Sequence, residues 1–157
     1  MIRTHFSKIR LLFLLSGIFL LCSCSDDTKE PEHSISYDAL PSAAKEFLNK
    51  FFYGYEIIKV EEENDQNIII YEVELQDNYE IVFNEEGEWQ QVAAPEKMTI
   101  PGGIVPENIQ AYLTENFSGY GVNVINTTGQ GYKVKLVTGL NLYFNMAGEV
   151  INIENDY

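Results

Sequence analysis

The chain is short of the residues from which most catalytic sites are built. Its 157 residues include two histidines, His5 and His33, and two cysteines, Cys22 and Cys24, all in the N-terminal stretch. The rest of the sequence therefore offers no Ser-His-Asp or Cys-His nucleophile, no thiol redox pair and no ordinary zinc site. Cations are also scarce: 10 Lys+Arg stand against 24 Asp+Glu, a formal charge of −14 with a pI near 4.4. A nucleic-acid binder needs clustered cations to neutralise phosphates, and no such cluster occurs. Neither GxxxxGK[ST] nor GxGxxG is present, so the usual nucleotide cradles are missing. The apolar run 11–21 is interrupted by Ser16 and Gly17 and is far shorter than the ~20 residues a membrane span requires.

What the chain does have is core material. Hydrophobic residues make up 45% and aromatics 13%, a composition that folds and that acidic disordered tails do not share. No cofactor is implied by any of it.

Residues 1–23 read as a leader. Arg3, Lys8 and Arg10 precede the apolar run, and small residues follow it, which is the anatomy of a secretory signal. Leu21-Cys22-Ser23-Cys24 resembles a bacterial lipobox, with Cys24 as the lipid attachment point. Cys22 fits less well, because bulky Leu21 stands directly before it. A stray thiol pair or a C-x-C metal fragment is the competing reading, and it lacks further His or Cys to complete a site. Acylation at Cys24 anchors a protein to a membrane surface without a spanning helix. Residues 24–37 are expected to be a flexible acidic tether. Its start, Cys24-Ser25-Asp26-Asp27, resembles Bacteroidetes lipoproteins exported to the outer leaflet, which implies an outer-membrane lipoprotein, periplasmic or surface-exposed. An acidic body on such a tether stands off anionic head groups, so the membrane is a partner through the lipid alone.

The body repeats itself. At an offset of 65, Phe47 matches Tyr112, Leu48 matches Leu113, Phe52 matches Phe117, and Gly54-Tyr55 matches Gly119-Tyr120. After a four-residue deletion the offset becomes 61: Tyr71, Val73 and Leu75 meet Tyr132, Val134 and Leu136, and Phe83-Asn84 meets Phe144-Asn145. Each copy opens with a helix, since Ala44, Phe47, Leu48 and Phe51 follow helical spacing after Pro41, as Ile109, Tyr112, Leu113 and Phe117 do after Pro106. Gly54 and Gly119 stop them. The period then changes to two, predicting strands over 56–62, 68–76, 79–83 and 88–93 in the first copy and 122–126, 132–138, 140–145 and 149–154 in the second. The expected fold is α+β: two tandem α-β-β-β-β repeats, 38–94 and 105–157, joined by a connector at 95–104, each a helix on a four-stranded antiparallel sheet. Units of this size are marginal alone, so they should pack together or share a continuous sheet.

The Leu-Pro helix ending in Gly-Tyr, the strand pair and the terminal hairpin of Phe83 to Trp89 resemble the PepSY-like, beta-lactamase-inhibitor-protein-like secreted proteins of Bacteroidetes. The resemblance spans about 38–155. It implies a fold that grips a protein partner on a concave sheet surface, and no general activity. The second copy departs from it by carrying Val150 where the first has Trp89.

The helix should cover Tyr71, Val73, Leu75, Tyr79, Ile81 and Phe83, leaving Glu72, Glu74, Glu80 and Val82 on the open face. In the overlay Glu72 and Glu74 correspond to Lys133 and Lys135, an acidic half and a basic half that orient a partner or simply keep an open sheet soluble. Aligning Gln90 with Ile151 points both inward and makes Trp89 outward, as an anchor beside Val82 and Tyr143; the alternative places Trp89 at the junction of the two copies. The leading expectation is a lipid-anchored, non-enzymatic envelope binding or inhibitory protein that holds a protein or peptide. The alternative is a calcium- or glycan-binding envelope module, drawing on turns such as 64–67 and 84–88, whose bland reading is turn chemistry. A hydrolase using Glu72 and Glu74 is the third reading, weakened because solvated strand carboxylates are commonplace.

Overall fold

The computed structural model describes residues 33–155, so the leader, Cys24 and most of the tether lie outside the described residues. Nine strands form one antiparallel sheet in simple sequential order. In the N-terminal half these are β1 (His33–Ser34), β2 (Ile57–Asp65), β3 (Ile68–Leu75), β4 (Tyr79–Asn84) and β5 (Trp89–Ala93), with helix α1 (Ser42–Phe51) between β1 and β2. The C-terminal half places α2 (Glu107–Asn116) before β6 (Val122–Thr128), β7 (Gly131–Leu136), β8 (Leu140–Asn145) and β9 (Val150–Asn155). The α+β class holds, and of the two arrangements expected for the copies the continuous sheet is the one formed, so a four-stranded sheet for each helix gives way to one sheet of nine. β5 pairs with β6 through Gln91–Asn126, Val92–Ile125 and Ala93–Val124, making a continuous sheet. Pairing across the seam satisfies two strand edges that separate sheets would expose.

The sheet also begins earlier than expected. His33 and Ser34, within the stretch read as tether, pair with Glu62 and Glu61 on the outer edge of β2, and the Ile35 N–H donates to Val60 O at 3.0 Å.

One face is the core. Val73, Ile81, Val92, Ile125, Val134 and Leu142 form a fully buried row across six strands, and Ala44 and Leu48 of α1 and Ile109 and Leu113 of α2 pack into the same cluster. Each fully buried Val, Leu or Ile among them contributes roughly 1.5–3 kcal/mol by leaving water. Phe47 meets Phe83 edge-on at 5.7 Å and 81°, and Tyr112 meets Phe144 at the same distance and angle.

Local geometry recurs at the offsets read from sequence. At the ends of the helices the Phe52 and Phe117 N–H groups donate to Leu48 O and Leu113 O, both at 2.8 Å. Gly54 and Gly119 follow at φ +88° and +89°, a conformation glycine enters without the Cβ penalty. Register shifts recur as well, between Ile57 and Lys59 and between Val122 and Val124, then between Val82 and Phe83 and between Tyr143 and Phe144. In the hairpin after β4 the Asn84 side chain accepts the Glu88 N–H at 2.8 Å, and in its counterpart Asn145 accepts the Glu149 N–H at 2.9 Å. These turn oxygens are engaged by the backbone of the turn itself.

Candidate functional site

The face opposite the helices carries the residues singled out from sequence. Register puts Lys59, Glu74 and Glu80 in one row, Glu61, Glu72, Val82 and Gln91 in the next, and Glu63, Ile70 and Asn84 beyond. In the C-terminal half the equivalent rows hold Val124, Lys135, Asn141 and Glu154, then Asn126, Lys133, Tyr143 and Asn152. Glu72, Glu74, Lys133, Lys135, Val82 and Tyr143 therefore share one face, as expected. All are half-buried, as side chains lying on a sheet among neighbours are.

Glu74 and Glu80 are direct cross-strand partners. Like charges placed opposite each other repel. Burial, followed by the charge of Glu74, raises the Glu80 carboxyl above its ordinary value. Lys59 forms an ion pair with Glu61 in the same acidic field. At the corresponding place in the other half, Lys135 faces Asn141, and Asn141 is 2% exposed with no hydrogen-bond partner for its Oδ1 among the described residues. Nearby, Lys133 Nζ lies 5.5 Å from the centre of the Tyr143 ring, and the Tyr143 hydroxyl donates to Glu154 Oε2 at 3.2 Å.

Trp89 is not on this face. Gln90 is the extra residue of a β-bulge, so Trp89 pairs with Phe83 on the helix side while Gln91 remains opposite Val82. The indole is half-buried between Phe47 of α1 and Tyr132 of β7, 6.4 Å from each ring centre. Simple alternation predicted the outward position; the bulge reverses it and places Trp89 at the seam between the halves. Across the same seam Thr127 Oγ1 donates to Gln90 Oε1 at 2.8 Å.

Sequence reasoning missed a cleft of about 370 Å³ at the C-terminal end of α2, walled by the connector. Asn123, the bulge residue of β6, anchors that wall: its Nδ2 lies within 2.9–3.1 Å of the carbonyls of Ala94, Pro95 and Met98. The Tyr79 hydroxyl, whose pKa is raised above the ordinary tyrosine value by burial and then by neighbouring Tyr55, donates to Thr99 O at 3.3 Å. Gly121 is a usable signal in retrospect, since a Cβ there would lie 2.1 Å from Thr99 Cγ2.

The architecture is α+β: one nine-stranded antiparallel sheet with two helices on one face and a charged second face that no helix covers among the described residues. The chain belongs to the family described as "Putative beta-lactamase-inhibitor-like, PepSY-like", whose model matches residues 26–76 and 69–152. Comparison with curated proteins returns no match. Among solved structures, it is similar to a "putative periplasmic protein of unknown function" from Bacteroides vulgatus ATCC 8482. Identity is 26%, with a TM-score of 0.75, over 80% of this chain and 100% of that one. A DUF2874-family periplasmic protein from the same organism is 25% identical with a TM-score of 0.76, covering 80% and 98%. A "putative calcium-regulated periplasmic protein" from Bacteroides thetaiotaomicron is 27% identical with a TM-score of 0.75, covering 79% and 97%. These relatives support an envelope or periplasmic location.

Proposed function

We propose that the protein is a lipid-anchored, non-enzymatic binding or inhibitory protein of the outer membrane that holds a protein or peptide on the open sheet face. The observation carrying this reading is the charge step across that face, from Glu61, Glu63, Glu72, Glu74 and Glu80 on β2–β4 to Lys133 and Lys135 on β7. A ligand carrying its cations toward one end docks in a single orientation on such a surface. Val82 and Tyr143 supply apolar contact between the charges, and the seam position of Trp89 makes it a brace for the two halves. The recurrence of caps, bulges and turns at offsets of 65 and 61 supports reading the body as two tandem copies, 38–94 and 105–157, around the connector 95–104. The lipid at Cys24 rests on the leader motif alone.

Affinity capture from envelope extracts with the protein and a Glu74→Lys/Glu80→Lys variant tests the reading. A partner retained by the first and lost from the second supports it; identical recovery from both overturns the role of the acidic rows.

A calcium-responsive module is the second reading, favoured by the description of the Bacteroides thetaiotaomicron relative. Among the described residues no three His, Cys, Asp or Glu side chains are disposed to hold a metal ion. Calorimetric titration with calcium decides it, with measurable heat at micromolar to millimolar calcium as the supporting result.

A further inference from the structure

The two halves differ in how they treat one tyrosine. Tyr55 and Tyr120 stand at equivalent places after their helices, and each N–H donates to the carbonyl of the preceding Phe at 3.1 Å. In the first half Tyr55 is locked in an aromatic triad, 5.3 Å from Tyr79 and 5.7 Å from Phe52. At the offset of 61, the position of Tyr79 is held in the second half by Leu140. Leu140 offers no ring edge for a T-shaped contact. Tyr120 is instead 53% exposed and lines the cleft beside the connector.

The cleft is chemically distinctive for this chain. Among the described residues lining it none is charged, in a protein of formal charge −14. Its polar groups are neutral: Thr99, Gln110, Thr114 and Ser118. Gly102, Gly103, Gly119 and Gly121 open the backbone to approach. Its wall is braced in advance by Asn123 and Tyr79, so little ordering is required on binding. An ionic ligand gains no counter-charge here and would lose hydration. A neutral, hydroxyl-rich molecule with an apolar ring face exchanges its water for hydroxyl and amide groups and lies against the tyrosine ring.

We propose that this cleft, separate from the open sheet face, is a binding site for a neutral saccharide, with Tyr120 as its stacking platform. Saturation-transfer NMR against maltose, cellobiose and N,N′-diacetylchitobiose tests it. The expected result is transfer to at least one of the three, with affinity falling at least tenfold in Tyr120→Ala and unchanged in Tyr53→Ala, a control at a side chain 87% exposed. Gly102→Leu, where a new Cβ meets nothing within 4 Å, adds bulk at the cleft wall without crowding the fold and should lower affinity at least tenfold. Should Gly102→Leu fail to fold, Tyr120→Ala alone decides. No transfer to any of the three sugars overturns the proposal. So does undiminished binding by Tyr120→Ala, or displacement of the sugar by an equal concentration of the uncharged capped peptide Gly-Tyr-Gly.

Discussion

The Trp89 indole lies 6.4 Å from the Tyr132 ring, with the planes 33° apart, across the seam between β5 and β6. One ring comes from the last strand of the N-terminal half and the other from the second strand of the C-terminal half. Phe47 of α1 closes on the same indole from above the sheet. The single tryptophan therefore ties a helix, its own strand and the other half together.

Replacing it should act on stability. Trp89→Ala removes a half-buried aromatic from the seam and is expected to cost about 2–3 kcal/mol, below the ~3–5 of a fully buried aromatic truncation. Urea unfolding monitored by circular dichroism measures the loss. A cost under about 1 kcal/mol would show that the seam is held by strand pairing alone. Because the indole lies on the helix side, the variant should retain any partner bound on the charged face.

Glu80 makes stability depend on pH in a definite direction. Its folded-state carboxyl is raised above the ordinary 4.5 by burial and then by Glu74, so the folded protein holds this proton more tightly than the unfolded chain. The unfolded state then binds fewer protons in the window from the ordinary value upward, and stability falls as pH rises through it. Glu80→Gln should match the parent protein below that window and exceed it above. Thermal melts from pH 4 to 7 check this; curves that stay parallel throughout would remove the Glu74–Glu80 repulsion as a cause. The effect should be modest, because Glu80 is only partly desolvated by the sheet and still reaches solvent, which screens it.

How far the fold could be read in advance depends on the range of the interaction that decides each feature. Alternation places Tyr71, Val73, Leu75, Tyr79, Ile81 and Phe83 on the helix side, and the structure agrees at every one, because burial on one face is a local demand with a period of two. Alternation fails at Trp89, where one bulged residue shifts the parity for whatever precedes it. Strand β1 was invisible for a different reason: two residues carry no period, and their pairing partner lies 27 or more positions away. Tyr120 is exposed in the half where Leu140 stands at the place of Tyr79, a pairing of observations that only a placed structure makes visible. The paired Glu and Lys rows were legible because strand parity is a local pattern and repeat alignment needs only the linear sequence, with no knowledge of which segments touch.

Two glycines at positive φ, Gly87 in the β4–β5 hairpin and Gly54 after α1, separate backbone strain from crowding. Gly87 has φ +83°, and a Cβ there would lie 2.8 Å from both the Ala44 nitrogen and Pro41 Cβ at the start of α1. Gly54 has φ +88° and open space around it. Gly54→Ala should therefore cost only the left-handed penalty, about 1–2 kcal/mol. Gly87→Ala should cost more, since the β4–β5 turn must also move off the helix. Denaturant midpoints of the two variants, measured side by side, make the comparison; equal losses would mean that the turn yields freely.

Asn141 occupies the place that Glu80 holds in the other half, facing Lys135 where Glu80 faces Glu74. It is the one fully buried polar side chain among the described residues, and its Oδ1 has no partner there. An unmet buried acceptor costs about 1–3 kcal/mol relative to one that is satisfied, whereas an apolar group of similar shape avoids that loss. Asn141→Leu is expected to leave stability unchanged or raise it by about 1 kcal/mol, read from urea unfolding midpoints. Asn141→Asp should do the opposite, because a buried carboxylate has to be desolvated, although adjacent Lys135 offsets part of the loss. A clear destabilisation by leucine would mean that the amide is bonded in solution to a group such as an ordered water, and would make this row of the sheet a polar site rather than a packing defect.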